Sequence, residues 1–198
     1  VAGDREAGIF EYMLSLPVSL AAWFWGKLLG RFLVVFLPVF LAMLGAVAWG
    51  VASGVTVPWS QVVYYTGFLL SLALCFLGIG MLISSLARSS DVATGTAFII
   101  WLGLLLFMDL ILLGMLIRQG LPPEGVIAVA LVNPLQVFRT AAMLLFDPQL
   151  VLLGPSAYVI LDHFGPQGYI AWALFYPGAL GIFCAWLGYQ VFRRGDLP

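Results

Sequence analysis

Four apolar blocks, separated by short polar punctuation, run along the chain at 32–53, 62–86, 92–117 and 169–192. Each is close to the roughly 20 residues that an α-helix needs to cross a hydrocarbon core of about 30 Å. None of the four holds Lys or Arg, and only the third holds an acid, Asp109. Blocks of this length with no alternation of period two predict helices buried on all sides by lipid or by each other, not strands.

Between and before the blocks the pattern changes. Residues 5–16 (REAGIFEYMLSL) place Ile9, Met13 and Leu16 on one helical stripe, with Phe10 and Leu14 beside it and Arg5 and Glu6 opposite; Pro17 ends the run. A second short run, 19–31, starts behind Ser19 as N-cap and carries Trp23, Trp25 and Lys27. Both read as amphipathic helices lying in the membrane interface or against a partner. The stretch 118–168 is not a plain loop. Its apolar piece 126–132 is too short to span and reads as re-entrant or interfacial. Asn133–Pro134 then forms a helix start, N-cap followed by Pro at N1, for a helix over 134–146.

Composition closes off the soluble classes. Hydrophobic residues make up 63% of the 198, charged residues 9%, and mean hydropathy is +1.10. A soluble domain carries roughly 25% charged residues to wet its surface. The net charge of −1 offers no basic field for nucleic acid. Its eight Lys and Arg set an orientation: Arg5, Lys27, Arg31, Arg88, Arg193 and Arg194 fall on one side of four alternating spans, Arg118 and Arg139 on the other. The positive-inside rule places both ends of the chain in the cytoplasm. Trp49, Trp59, Tyr64, Tyr65, Tyr169 and Trp172 then mark the outer interface, and Trp23, Trp25 and Tyr189 the inner.

Candidate chemistry is sparse. Asp109 sits about 12 Å inside its span at 1.5 Å per residue, where a carboxylate must face water or a partner helix. It reads either as a transport ligand or as a helix-pairing hydrogen bond. Met108 and Met115 share a helix face, which suits gap-filling more than a soft-metal track. Cys75 and Cys184 each lie in an apolar block as packing thiols, and His163 is the one histidine, in the outer stretch. No catalytic set, metal site or cofactor motif emerges. Gly26–Lys27 lacks the glycine and Ser/Thr of a phosphate-binding loop, so any ATP would be bound by another chain. Ala46, Gly50 and Gly54, and Gly181 with Ala185, mark close helix contacts; Pro38 and Pro177 mark kinks.

The opening pattern Glu6-x-Gly8-Ile9-x-Glu11-x-x-Leu14-x-x-Pro17, ahead of Gly26–Lys27 and a span, resembles the cytoplasmic segment of ABC transporter type-2 permeases. Ile9 stands where that family usually has Thr. The runs 104–117 (LLLFMDLILLGMLI), 131–139 (LVNPLQVFR) and 189–194 (YQVFRR) look like the NosY-type branch, the membrane subunit of the NosDFY transporter that matures the copper–sulfur centre of nitrous oxide reductase. The resemblance covers the last four of that family's six spans.

It implies an all-α membrane protein: a cytoplasmic amphipathic coupling segment at 1–31, three transmembrane helices over 32–117, a periplasmic or re-entrant helical segment at 118–168, and a last span and short tail at 169–198. It also implies no enzymatic activity in the chain itself and no cofactor. The expected partners are an ABC ATPase subunit, a second permease copy, membrane lipid and a periplasmic NosD-like protein. Arg5, Glu6, Gly8, Ile9, Glu11, Leu14 and Pro17 would meet the ATPase. Asn133, Pro134 and Arg139 would lie near the periplasmic partner. The expected home is the cytoplasmic membrane of a bacterium or archaeon, and the cargo a sulfur or copper precursor. A type-2 exporter of lipid, drug or polysaccharide, and a non-transporting membrane scaffold, remain the alternatives.

Overall fold

The computed structural model describes residues 1–9, 17–118, 130–146 and 155–194, and side chains at all of these except 5, 107–118 and 155–164. Regular structure among the described residues is entirely helical: α1 (Ala2–Glu6), α2 (Leu20–Ala52), α3 (Trp59–Leu86), α4 (Ser90–Arg118), α5 (Pro134–Phe146) and α6 (Pro155–Arg194). The all-α membrane class expected from the sequence is what the chain adopts. Leu20–Ala52, Trp59–Leu86 and Gly165–Arg194 are each long and apolar enough to cross a membrane. The fourth expected span lies on α4, a helix of 29 residues, of which Ser90–Leu106 is apolar and described in full.

Local chemistry fixes the ends. The Ser19 hydroxyl accepts from the Ala22 N–H at 3.2 Å, starting α2. At its far end Gly54, at φ 76°, closes a Schellman motif: Val55 N–H bonds Gly50 O at 3.0 Å and Gly54 N–H bonds Val51 O at 3.1 Å. The Ser89 hydroxyl accepts from Val92 N–H at 3.2 Å to start α4. Asn133 caps α5 as expected, its Oδ1 taking the Leu135 N–H at 3.1 Å.

Two expected boundaries move. The run 19–31 is not a separate interfacial helix, because α2 continues through residue 31 without a break. Gly26 and Gly30 weaken a helix by about 1 kcal/mol each but do not stop one, and Lys27 and Arg31 can reach polar surroundings by their long stems. Phe24 and Leu28, both buried, hold this extension against α3 and α6. The last helix likewise begins before residue 169. It breaks at Gly165, at φ 67° and ψ 158°, where Pro166 disfavours a helical residue before it. The amphipathic pattern at 5–16 and the apolar piece at 126–132 fall largely outside the described residues.

The centre of the bundle is the α3–α6 pair. Gly67 meets Leu174, Ser71 meets Gly178, Leu74 and Cys75 meet Gly181, and Leu82 meets Gly188, so the two helices run parallel. Their backbones nearly touch: a Cβ on Gly78 would lie 1.9 Å from Gly181 O, and one on Gly181 2.3 Å from Leu74 O. Ser71 Oγ accepts from Gly178 N–H at 2.8 Å, next to Pro177 and inside this contact. The stripe around Gly181 and Ala185 is thus used as expected. Among the described residues the stripe on α2 meets no other long helix, since Ala46 is exposed and Gly50 lies against Val57 of the following turn.

Replacing Gly181 by Ala should therefore lower the thermal midpoint in detergent sharply, by at least the about 1–3 kcal/mol of ordinary overpacking. Gly80, whose Cβ position is open, is the control. Gly80→Ala should leave the midpoint unchanged or slightly raised, and equal losses at both positions would refute the contact.

Candidate functional site

Two constructions stand out, one at each end of the bundle. The basic end gathers the start of α2, the end of α3, the start of α4 and the end of α6. Here Phe24, Leu28, Met81, Ala185 and Phe192 form a buried cluster with Trp23 and Tyr189 packed on it. Trp23 stacks on Phe192 with centroids 5.3 Å apart.

The segment carrying α1 is fastened across three of these helix ends. Ala2 N–H donates to Ser84 Oγ on α3 at 3.0 Å. The Asp4 carboxylate pairs with Lys27 Nζ of α2, which also lies 4.9 Å from the Trp23 ring centre. Glu6 Oε2 accepts from Ser90 N–H at 3.0 Å, at the first residue of α4. Helix N-termini leave N–H groups without partners and carry partial positive charge, so a carboxylate supplied from another segment is a physical match.

Of the residues expected at a coupling surface, Glu6 faces α4 while remaining exposed, and Gly8 turns the chain at φ 65° with open space around it. Ile9 is 44% exposed and Pro17 is exposed. Glu11 and Leu14 lie outside the described residues, as does the Arg5 side chain. Asp4, Ser84 and Ser90 were not singled out from sequence. A lone acid near a lone Lys gives little signal when they stand 23 residues apart on different helices. Arg88, Arg193 and Arg194 are exposed around this end.

The opposite end is built around α5. Its inward face (Val137, Ala141, Leu144, Leu145) packs with Phe68, Tyr169 and Ala173 of α3 and α6. Tyr169, expected in the outer aromatic belt, is instead fully buried in the cluster around α5. Trp49, Trp59 and Tyr64 are exposed, as a belt requires.

Among the described residues, four side-chain donors reach backbone carbonyls around α5. Trp172 Nε1 donates to Leu131 O at 3.1 Å, and Tyr176 OH to Val132 O at 2.6 Å. Asn133 Nδ2 donates to Leu104 O on α4 at 2.7 Å, and Gln61 Nε2 to Leu145 O at 2.8 Å. Carbonyls freed at a helix end are costly away from water, and non-helical backbone survives at membrane depth only when protein satisfies it.

Asn133 and Pro134 are consequently buried within the chain. Exposed surface at this end is offered by Val132, Arg139 and Phe146. Asp109 lies on α4, but its side chain is outside those described. No group of three metal-ligating residues occurs among the described residues. Cys75 is buried in the α3–α6 contact, where it packs.

Asn133 separates two roles cleanly. Asn133→Asp keeps the cap acceptor but loses the donor to Leu104 O; Asn133→Ala loses both. Ala should cost about 1–2 kcal/mol from the cap alone. Asp should still destabilise, seen as a lower thermal midpoint, if the tether to α4 matters; a wild-type midpoint for Asp would show that it does not.

Comparison with known families gives one match over nearly the whole chain: the family described as ABC-2 family transporter protein, matching residues 1–197. Curated proteins give no match.

Proposed function

The chain belongs to the ABC-2 transporter family, and on that premise we propose that its α1 segment is the surface through which a separate ATPase subunit drives the membrane helices. As a member of that family it is a multi-pass membrane permease subunit, and ABC-2 permeases in general work with an ABC ATPase. The observation that carries the coupling reading is the fastening of α1 to α2, α3 and α4 together, with Ile9 left exposed beside it.

A push on a segment tied to a single helix would move that helix alone. A push on α1 reaches three helix ends at once, and α3 carries it to α6 through the glycine contacts. Interlocked backbones transmit such displacements because the contact has no soft side chains to absorb them. The basic end is then the cytoplasmic end, in keeping with the charge bias of the sequence.

Within the family, the reading extends to the NosY-type branch: a homodimeric permease of a bacterial or archaeal cytoplasmic membrane, moving a sulfur or copper precursor for nitrous oxide reductase, with a NosD-like protein on the outer side. Its support is the likeness of 104–117, 131–139 and 189–194 to that branch. The second of these runs contains Asn133, the residue that both caps α5 and ties it to α4.

The coupling assignment is tested by Ile9→Asp. Co-purification with the partner ATPase should fall several-fold while membrane insertion stays normal, and an unchanged yield of complex would overturn it. The branch assignment is tested separately, by the copper content of nitrous oxide reductase in cells lacking this gene. Full copper loading would remove the NosY reading and leave the coupling reading intact. In the same assay Asp109→Asn should support maturation as the wild type does, because Asn retains the shape and hydrogen bonds of a helix-pairing residue; a stable, inactive Asn variant would make Asp109 a transport residue.

A further inference from the structure

Between α2 and α3 lies a groove of about 350 Å³, walled by Val35, Phe36 and Val39 on one side and by Leu69, Ala73 and Phe76 among others on the other. Its lining is apolar throughout, as a bilayer-facing groove should be. What distinguishes it is the end toward the basic side of the bundle.

Lys27, Arg31, Val35 and Val39 follow one another at four-residue steps, so they form one stripe on α2 that runs from two cations into the groove wall. Lys27 is already engaged, by Asp4 and by the face of Trp23. Arg31 is exposed, and no salt bridge to a carboxylate forms at it among the described residues. Its Nη1 reaches Met81 Sδ at 4.0 Å. Met81 stands one turn beyond Leu77, the last α3 residue of the groove, so the guanidinium sits at the groove mouth.

We infer that this groove is a binding site for one anionic phospholipid of the adjoining leaflet, its phosphate on Arg31 and one acyl chain along Val35–Val39 and Leu69–Leu77. The dimensions agree. From residue 69 to residue 77 α3 rises about 12 Å, most of the ~15 Å that one leaflet contributes to the hydrocarbon core. The chemistry agrees as well, since a planar guanidinium with free donors binds a phosphate in a bidentate fork. Neutral lipid would fill the groove equally well but would gain less at its mouth. The site does not depend on what the protein transports.

The test uses the purified protein in detergent, titrated with phosphatidylglycerol or phosphatidylcholine of identical acyl chains and read by native mass spectrometry. Phosphatidylglycerol should be retained in preference. Arg31→Gln should reduce that preference by roughly fivefold, the contribution of one cation at an anionic surface, with helix content unchanged. Ala73→Trp, which fills the groove, should displace both lipids. Equal retention of the two lipids by the wild type, or an Arg31→Gln variant with undiminished preference, would overturn the proposal. So would efficient oxidative cross-linking between copies carrying Val39→Cys, with both native cysteines changed to Ala, because a second copy of the chain would then cover the groove.

Discussion

The rest of the structure hangs on how closely α3 and α6 approach. Inside a bilayer, apolar side chains gain nothing by leaving lipid for each other, so helices associate through van der Waals contact and hydrogen bonds. Gly78, Gly181 and Gly188 bring two parallel backbones together where no Cβ could fit. The Ser71–Gly178 hydrogen bond is sealed within the same contact. Other elements are arranged around this pair. α5 packs on the half away from the basic residues, and the aromatic cluster of Phe24, Trp23 and Phe192 closes the basic end.

A rigid pair of this kind gives the two ends of the molecule different tasks. At the end away from the basic cluster the chain leaves regular helix before α5, where Trp172, Tyr176 and Gln61 bond carbonyls at helix ends and Asn133 bonds a carbonyl of α4. Those donors hold α5 against α3, α4 and α6, which makes it a structural part of the bundle. At the basic end the fastening is ionic and lies closer to polar surroundings: Asp4 to Lys27, Glu6 to the α4 N-terminus. The Asp4 and Lys27 side chains are only 22% and 20% exposed, so the pair is less screened by solvent than one on an open surface.

α2 stands apart from this logic. The most apolar window of α2 contains no buried residue, and the helix leans on the bundle mainly through its first turns. Along its length Phe32, Phe36 and Phe40 stack in sequence at 5.2 and 5.7 Å. Such a ladder stiffens one face of the helix while the remainder meets whatever surrounds it. The Asp4–Lys27 pair acts on this helix, so a loosely packed span is tied directly to the α1 segment.

The hydrophobic pattern by itself determined the class of the protein and most ends of its long helices, though not the starts of α2 and α6. Those properties follow from short-range rules: apolar runs matched to the bilayer, Ser19 and Asn133 as caps, glycine at a left-handed turn. Sequence also marked Gly181 and Ala185 as a contact face. The tertiary structure alone decided which helix lies against that face, because a small-residue stripe does not specify its mate. It set Tyr169 in the core although its position along the helix suited an interfacial belt. It turned Asn133 inward, and it joined Asp4 and Glu6 to helices far along the chain. Each of these depends on residues distant in sequence being brought together. A linear pattern constrains the faces of individual helices; the choice among possible neighbours comes from the packing of all of them at once.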